Sequence, residues 1–483
     1  MNKIVVFILT ICLSVTFLSC KKDKELTDPE ARLSFSQDSV LFDTVFTTIG
    51  STTRNIRVIN NNNQKVKISS VRLAKGQASN FIINVDGVSG KEVRDVEILA
   101  NDSIYIFIQV NVDPTNQNSP LIIQDNILFE LNGNQQSVAL EAWGQDAYYH
   151  FPTDAIQFKN GFLAYSRISS NDNVTVTWNN DKPHVIYGWL VADSTQTLII
   201  NQGVRVYFHQ NAGLWVYRYG KLQVNGVLGN EVTFQGDRRE ADYADLPGQW
   251  DRIWINEGST GNSINYAIIK NGFIGVQASL LVNNAPNKLK ITNTIIRNCS
   301  KWGIYGLAFN IWGANNTIVN CKEYCGAFTL GGSYTFLHST FANYFTQDGG
   351  RGGQPSVHID NYDGTDIWPT DSIYFANSII EGSQGNELEL DIRQSSSANQ
   401  KVIFNKNLIR GSISSNTLIV NTNNVFNGNP NFEDVGGYNF KIGASSSAVN
   451  LGDASILATY PFLNIDIKGS SRSSNPDAGS NQH

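Results

Sequence analysis

In the second half of the chain a short apolar phrase recurs between polar neighbours. It reads Ala267-Ile268-Ile269, Thr294-Ile295-Ile296, Thr317-Ile318-Val319, Thr340-Phe341 and Ser378-Ile379-Ile380, with a weaker sixth copy at Asn407-Leu408-Ile409. An Asn follows within two residues in the first four copies: Asn271, Asn298, Asn320 and Asn343. Aligned on Ile268, Ile295, Ile318, Phe341, Ile379 and Leu408, the copies are 27, 23, 23, 38 and 29 residues apart. A repeat of that length with a β-branched doublet predicts one coil of a β-solenoid. A single coil cannot bury its own apolar face, so the core forms by stacking.

Upstream the period is two. Asn55-Ile56-Arg57-Val58-Ile59, Val66-Lys67-Ile68, Phe81-Ile82-Ile83-Asn84-Val85 and Ser103 to Ile108 alternate, separated by turn residues such as Asn60 to Asn63 and Asp86-Gly87. About seven such strands over 33–145 fit an immunoglobulin-like β-sandwich. Residues 146–184 read as a junction of mixed character. From 185 onward short strands resume, punctuated by Gly203, Gly213, Gly220, Gly226 and Gly229.

Charged residues make up only 16% of the 483 and the net charge is -6. This balance suits an extracytoplasmic β-rich protein and argues against a nucleic-acid partner. The first 20 residues read as a secretion signal: Lys3, an apolar run from Ile4 to Phe17, then Phe17-Leu18-Ser19-Cys20. That ending resembles a bacterial lipobox. The resemblance implies cleavage before Cys20, lipidation of its thiol, and a membrane partner reached through the lipid anchor, in the outer membrane or at the cell surface. The apolar run is too short to span a bilayer. Residues 21–32 read as a charged tether. Cys299, Cys321 and Cys325 remain, an odd number, so a fully paired disulfide framework is excluded. Cys299 and Cys321 fall at nearly the same phase of successive coils, and are expected to be small buried apolar residues rather than a stacked ladder or a bridge.

Two further resemblances concern the fold. The stretch Phe42 to Ser51 and the closing Leu140-Glu141-Ala142-Trp143-Gly144 resemble small immunoglobulin-like domains of bacterial surface lipoproteins. Gly220-Lys221-Leu222-Gln223-Val224-Asn225-Gly226, Val232-Thr233-Phe234-Gln235-Gly236 and Gly248-Gln249-Trp250 resemble the entry coils of right-handed parallel β-helix proteins of the pectin-lyase-like type, over 185–483. The segment from Asn429-Pro430-Asn431-Phe432 to Pro476-Asp477-Ala478-Gly479 resembles the C-terminal cap of that group, expected to hide the last open edge. The expected fold is therefore all-β: an immunoglobulin-like sandwich, then a right-handed parallel β-helix, in a monomer.

The repeat also phases the chemistry. A second strand is expected eight or nine residues after each doublet, at Val276, Ile304, Ala327 and Leu388. In the fourth coil the count breaks at the insertion Asp348-Gly349-Gly350-Arg351-Gly352-Gly353-Gln354, and a strand resumes near Val357. Side chains alternate along a strand. With Val357, Ile359, Leu388, Leu390 and Ile392 inward, His358, Asp360, Glu387, Glu389, Asp391 and Arg393 face out. Tyr305 and Phe328 should continue that face, giving a lateral strip with aromatics at one end and ionisable groups at the other. Related β-helix proteins bind polysaccharides on such a strip.

Three readings follow. The strip binds a carbohydrate without chemistry. It is a lyase site for an acidic glycan, with Asp360, Glu389 and Asp391 as Ca2+ ligands and His358 or Arg393 as base. Or its carboxylates hydrolyse a glycosidic bond. A plain exposed strand with alternating charges, in a purely structural or adhesive spacer, requires none of these. No catalytic motif is recognisable, and no cofactor other than Ca2+ is suggested. Asp360-Asn361-Tyr362-Asp363-Gly364-Thr365-Asp366 has oxygen spacing like a Ca2+ loop but lacks the closing Glu, so a solvated turn is expected. Trp250 and Trp254 are expected to pack between coils.

Overall fold

The computed structural model describes residues 24–46, 51–112, 121–158, 161–281, 286–396, 400–414, 417–472 and 474–483. The secretion signal, Cys20 and the start of the tether lie outside the described residues. The chain divides into two compact units, 1–146 and 147–483. Both are all-β, and the second is dominated by large parallel sheets.

In the first unit the alternating pattern gives ten strands among the described residues, three more than the sequence suggests, in two five-stranded sheets. The additional strands include the short Ser34–Phe35 and Val88–Gly90. Residues such as Ile56, Val58, Ile68, Phe81, Ile106 and Ile127 are fully buried in one shared core. Ser39–Phe46 runs parallel to Asn134–Gln145; the other pairings are antiparallel. The part of the tether that is described is docked. Glu25 bridges to Lys65, and the Leu26 N–H donates to the Lys65 carbonyl at 2.8 Å.

In the second unit each turn of the chain returns to the same two sheets. Among the described residues one sheet has 11 strands, all joined in parallel and in chain order, from Tyr148–His150 to Val425–Phe426. It contains every copy of the repeated phrase. The other has 18 strands, parallel except for the opening hairpin of Asp154–Phe158 and Gly161–Arg167. The segment read as a junction already belongs to this stack: Tyr148 pairs with His184, Tyr165 with Trp189 and Thr175 with Thr197. Its mixed pattern hides a polar pair, buried at His184 and half-buried at His150. His150 Nε2 lies 3.0 Å from His184 Nδ1, and the His184 ring stacks on Trp178 at 3.8 Å.

The register corrects the repeat alignment by one residue. Ile268 pairs with Ile295, but Ile295 pairs with Thr317, and Ile296 with Ile318. Ile318 then pairs with Phe341, and Phe341 with Ile380. The inward column is therefore Ile269, Ile296, Ile318, Phe341, Ile380 and Ile409, all fully buried. The third and fourth copies look like the second because Thr again precedes the apolar residue, yet they are displaced by one. A one-residue slip exchanges the two faces.

Polar residues ahead of the doublets stack as a hydrogen-bonded ladder inside the turn. Backbone N–H groups of Thr294, Ser378 and Asn407 donate to the side-chain oxygens of Asn316, Asn407 and Asn424 at 2.8–3.0 Å. Asn293, Asn315 and Asn377 take left-handed φ of 51, 60 and 52°, which Asn tolerates better than most residues. Cys299, Cys321 and Cys325 are free and buried, as small core residues. Burial holds the Cys321 and Cys325 thiols well above the usual range.

The C-terminal segment runs back along the flank of the 11-stranded sheet, so the cover it gives is lateral, and the last strand of the 18-stranded sheet, Ile419–Thr422, stays largely exposed. Ser480 Oγ lies 2.7 Å from Thr317 Oγ1, the Ser480 N–H donates to Thr340 Oγ1 at 3.0 Å, and the Gly479 N–H donates to the Asn377 carbonyl at 2.8 Å. Buried Arg472 ties the strap together. It donates to the carbonyls of Leu463, Ile465, Gly479 and Ser480 and to Asn315 Oδ1. Thr317, Thr340 and Ile379 point away from the interior of the stack, so this face needs cover, and the strap supplies it.

Candidate functional site

The strip lies on the outward side of the 18-stranded sheet. Gln277 pairs with Tyr305, Tyr305 with Ala327, Ala327 with His358, and His358 with Glu389; beside them Asp360 pairs with Asp391. Val357 and Ile359 are fully buried beneath, as the alternation requires. Tyr305, His358, Asp360, Glu389 and Asp391 therefore occupy the expected face.

Phe328 does not. It pairs with Ile359 and is fully buried in the core, and Ala327 takes the outward position. The slip of the third copy explains the error. Counting nine residues from Ile318 lands on Ala327, whereas Gly326 holds the inward place opposite Ile304. Gly326 is glycine for a packing reason: a Cβ there would sit 2.9 Å from the Phe328 ring and 3.0 Å from the Phe341 ring. Glu387 is also not outward. It is fully buried, and Arg351 of the glycine-rich insertion meets it through two hydrogen bonds of 2.6 and 2.8 Å. That insertion is pinned, with the Arg351 side chain only 2% exposed.

His358 is the centre of the site. Its Nδ1 lies 2.7 Å from Glu389 Oε2 and its Nε2 lies 2.9 Å from Asp360 Oδ2. Ionised carboxylates only accept, so both contacts are satisfied when both ring nitrogens carry protons. Burial pulls the His358 pKa down, but the Asp360 and Glu389 hydrogen bonds outweigh it, and the net shift is upward from 6.5. With both nitrogens engaged by carboxylates, His358 bridges two strands, and in its protonated form it offers no lone pair with which to act as a general base. Tyr324, not foreseen from the sequence, covers it at a ring distance of 5.4 Å. It sits in a turn, outside the alternation that located the rest.

The other ionisable groups are engaged too. Asp360 Oδ1 accepts from the Leu330 N–H at 2.9 Å. The Tyr362 hydroxyl donates to Asp391. The Arg393 guanidinium lies 3.2 Å from the Tyr362 ring centre and donates to the Gly364 carbonyl at 2.8 Å. The Asp360–Asp366 loop is a tight hairpin, with Tyr362 opposite Ile367 and Asp363 opposite Asp366. The proposed Ca2+ set does not fit: Asp360 and Glu389 turn to opposite nitrogens of His358 and Asp391 to Tyr362. Among the described residues no three His, Cys, Asp or Glu side chains converge as metal ligands.

No family model matches the chain, and no curated protein matches it in sequence. Among solved structures it is similar to the catalytic unit of a thermostable GH87 alpha-1,3-glucanase from Streptomyces thermodiastaticus strain HF3-3, at 10% identity and a TM-score of 0.32, covering 77% of this chain and 75% of that one. It is also similar to a family 123 glycoside hydrolase from Clostridium perfringens, at 9% identity and a TM-score of 0.17, covering 24% and 26%. A third similarity is to an ASH/PapD-like domain of human CEP192, at 11% identity and a TM-score of 0.18, covering 26% and 94%. Likenesses at these TM-scores carry no argument about this chain's fold or function.

Proposed function

We propose that this protein is a lipid-anchored cell-envelope protein that binds carbohydrate without cleaving it. In this reading the first unit is an immunoglobulin-like sandwich that serves as a spacer. The second is a right-handed parallel β-helix that presents the ligand surface, with the protein at the outer membrane or cell surface. The observation that carries the binding reading is the His358 bridge between Asp360 and Glu389. It fixes a row of acceptors and donors beside Tyr305, Tyr324 and Tyr362, which is how polar ligands with apolar faces are oriented. The same bridge weighs against the lyase and hydrolase readings, because it occupies the candidate base and both nearest carboxylates.

A fragment beginning at residue 24 retains the docked Glu25 and Leu26 and suits the binding test. Neutral and acidic polysaccharides should retard it in affinity gels without release of unsaturated or reducing ends. His358→Ala combined with Glu389→Ala should abolish retardation. Binding that survives the double substitution would remove the strip from consideration, and product release would restore an enzymatic reading. For the anchor, the full-length chain made in a bacterial host should partition into the detergent phase, and Cys20→Ala should move it to the aqueous phase. Equal partitioning of the two proteins would refute lipidation.

A further inference from the structure

The outward column that carries Tyr305 and His358 continues toward the first strands of the sheet. Gln277 pairs with Trp254, Trp254 with Trp215, and Trp215 with Val191. The Trp215 and Trp254 indoles lie parallel within 6°, their centres 4.8 Å apart. Both indole N–H groups are held: Trp215 donates to Asn256 Oδ1 at 2.6 Å and Trp254 to Ser279 Oγ at 2.7 Å. The rings are therefore oriented without help from a ligand. Tyr217 stands edge-on to Trp215 at 5.2 Å, and Trp189 edge-on to Trp254 at 6.2 Å.

The hairpin Asp154–Phe158 and Gly161–Arg167 contributes Ile156 and Tyr165 to a groove of about 460 Å³ that Asp193, Tyr217, Trp254 and Leu281 also line. That volume lies in the range of small-molecule sites, roughly 300–1,000 Å³. Its one lining carboxylate, Asp193, faces Arg167 Nε at 3.1 Å, so the groove carries little net charge. A ligand for it needs apolar faces for the aromatic rings, hydroxyls for the two phenols and the carboxylate, and no charge of its own. A pyranose has these properties.

We propose that this groove is a second carbohydrate subsite, taking an uncharged pyranose stretch of the same polymer that engages the His358 strip. The inference rests on the binding reading of that strip, with which the groove shares one continuous column. Four register steps separate Trp254 from His358, about 19 Å at 4.8 Å per strand. A ligand engaging both ends is an extended polymer, not a monosaccharide.

The test uses the full-length chain in affinity gels containing dextran, a soluble β-1,3-glucan or a mannan, with polygalacturonate as the charged control. At least one neutral polymer should retard the protein. Trp254→Ala and Tyr165→Ala should each weaken that binding by about tenfold, and Trp254→Phe, which keeps a ring, should restore most of it at an unchanged melting temperature. Wild-type binding by both alanine variants, with loss in His358→Ala, would overturn the groove and leave the strip. Loss in the groove variants with none in His358→Ala would overturn the strip and leave the groove. If polygalacturonate alone is retained, the groove falls and the strip stands; if no polymer is retained, both fall.

Discussion

Arg351→Ala is expected to destabilise the second unit by about 3–5 kcal/mol and to free the segment between Asn343 and Ser356. The Glu387 carboxylate has no exposure, and Arg351 meets both of its oxygens. The guanidinium also donates to the carbonyls of Asn343 and Gln354, each at 2.6 Å. Removing it leaves a buried charge facing backbone N–H groups of Ser356 and Gln384 but no counter-ion. Urea unfolding should show a lower midpoint, and limited proteolysis should cut near Gly349–Gly353. The double change Arg351→Met with Glu387→Leu should recover much of the loss, because the lone charge rather than the missing contact is the penalty. A single variant as stable and as protease-resistant as the wild type would show that the pair does not hold the insertion.

The second large effect is acid destabilisation through His150 and His184. Burial holds His150 down at about 4; burial and then the His150 charge hold His184 down at about 3. One ring must donate and the other accept across their 3.0 Å contact, which fits two neutral imidazoles. Their folded values lie below the unfolded value near 6.5. Their contribution is therefore fully present above pH ~6.5 and is lost as pH falls toward 3, on the order of 3 kcal/mol for each ring by pH 4. His358 runs the other way, since its folded value is raised: its contribution is present below about 6.5 and is lost as pH rises through the raised value. Urea midpoints measured between pH 8 and pH 4 should fall toward acid. His150→Gln with His184→Gln should flatten that limb. An unchanged acid slope in the double variant would place the sensitivity elsewhere, for example in the buried carboxylates.

The period of the apolar phrase made the parallel stacking legible, because Ile and Phe recur wherever the chain passes the interior. It did not make the register legible. Thr317-Ile318 and Thr294-Ile295 look alike as letters, but Thr317 sits opposite Ile295, and only the backbone pairing reveals it. Phe328 was misplaced for that reason alone. His358 and Asp360 were placed well because their alternation with Val357 and Ile359 is local and needs no count across coils. The His150–His184 pair, the Arg351–Glu387 pair and Tyr324 were not legible. Each depends on residues brought together across turns, where neither a period of two nor the coil length applies.

The C-terminal strap has a consequence for how the chain is made. Strands of the two sheets pair with neighbours that precede them, so the sheets can grow as the chain leaves the ribosome. The strap cannot. Arg472, Gly479 and Ser480 bind Asn315, Asn377 and Thr340, residues made more than a hundred positions earlier. Until residues 472–480 emerge, the flank at Thr317, Thr340 and Ile379 waits uncovered. Closure of the flank is thus a late step that waits for residues 472–480, whereas pairing within the two sheets does not.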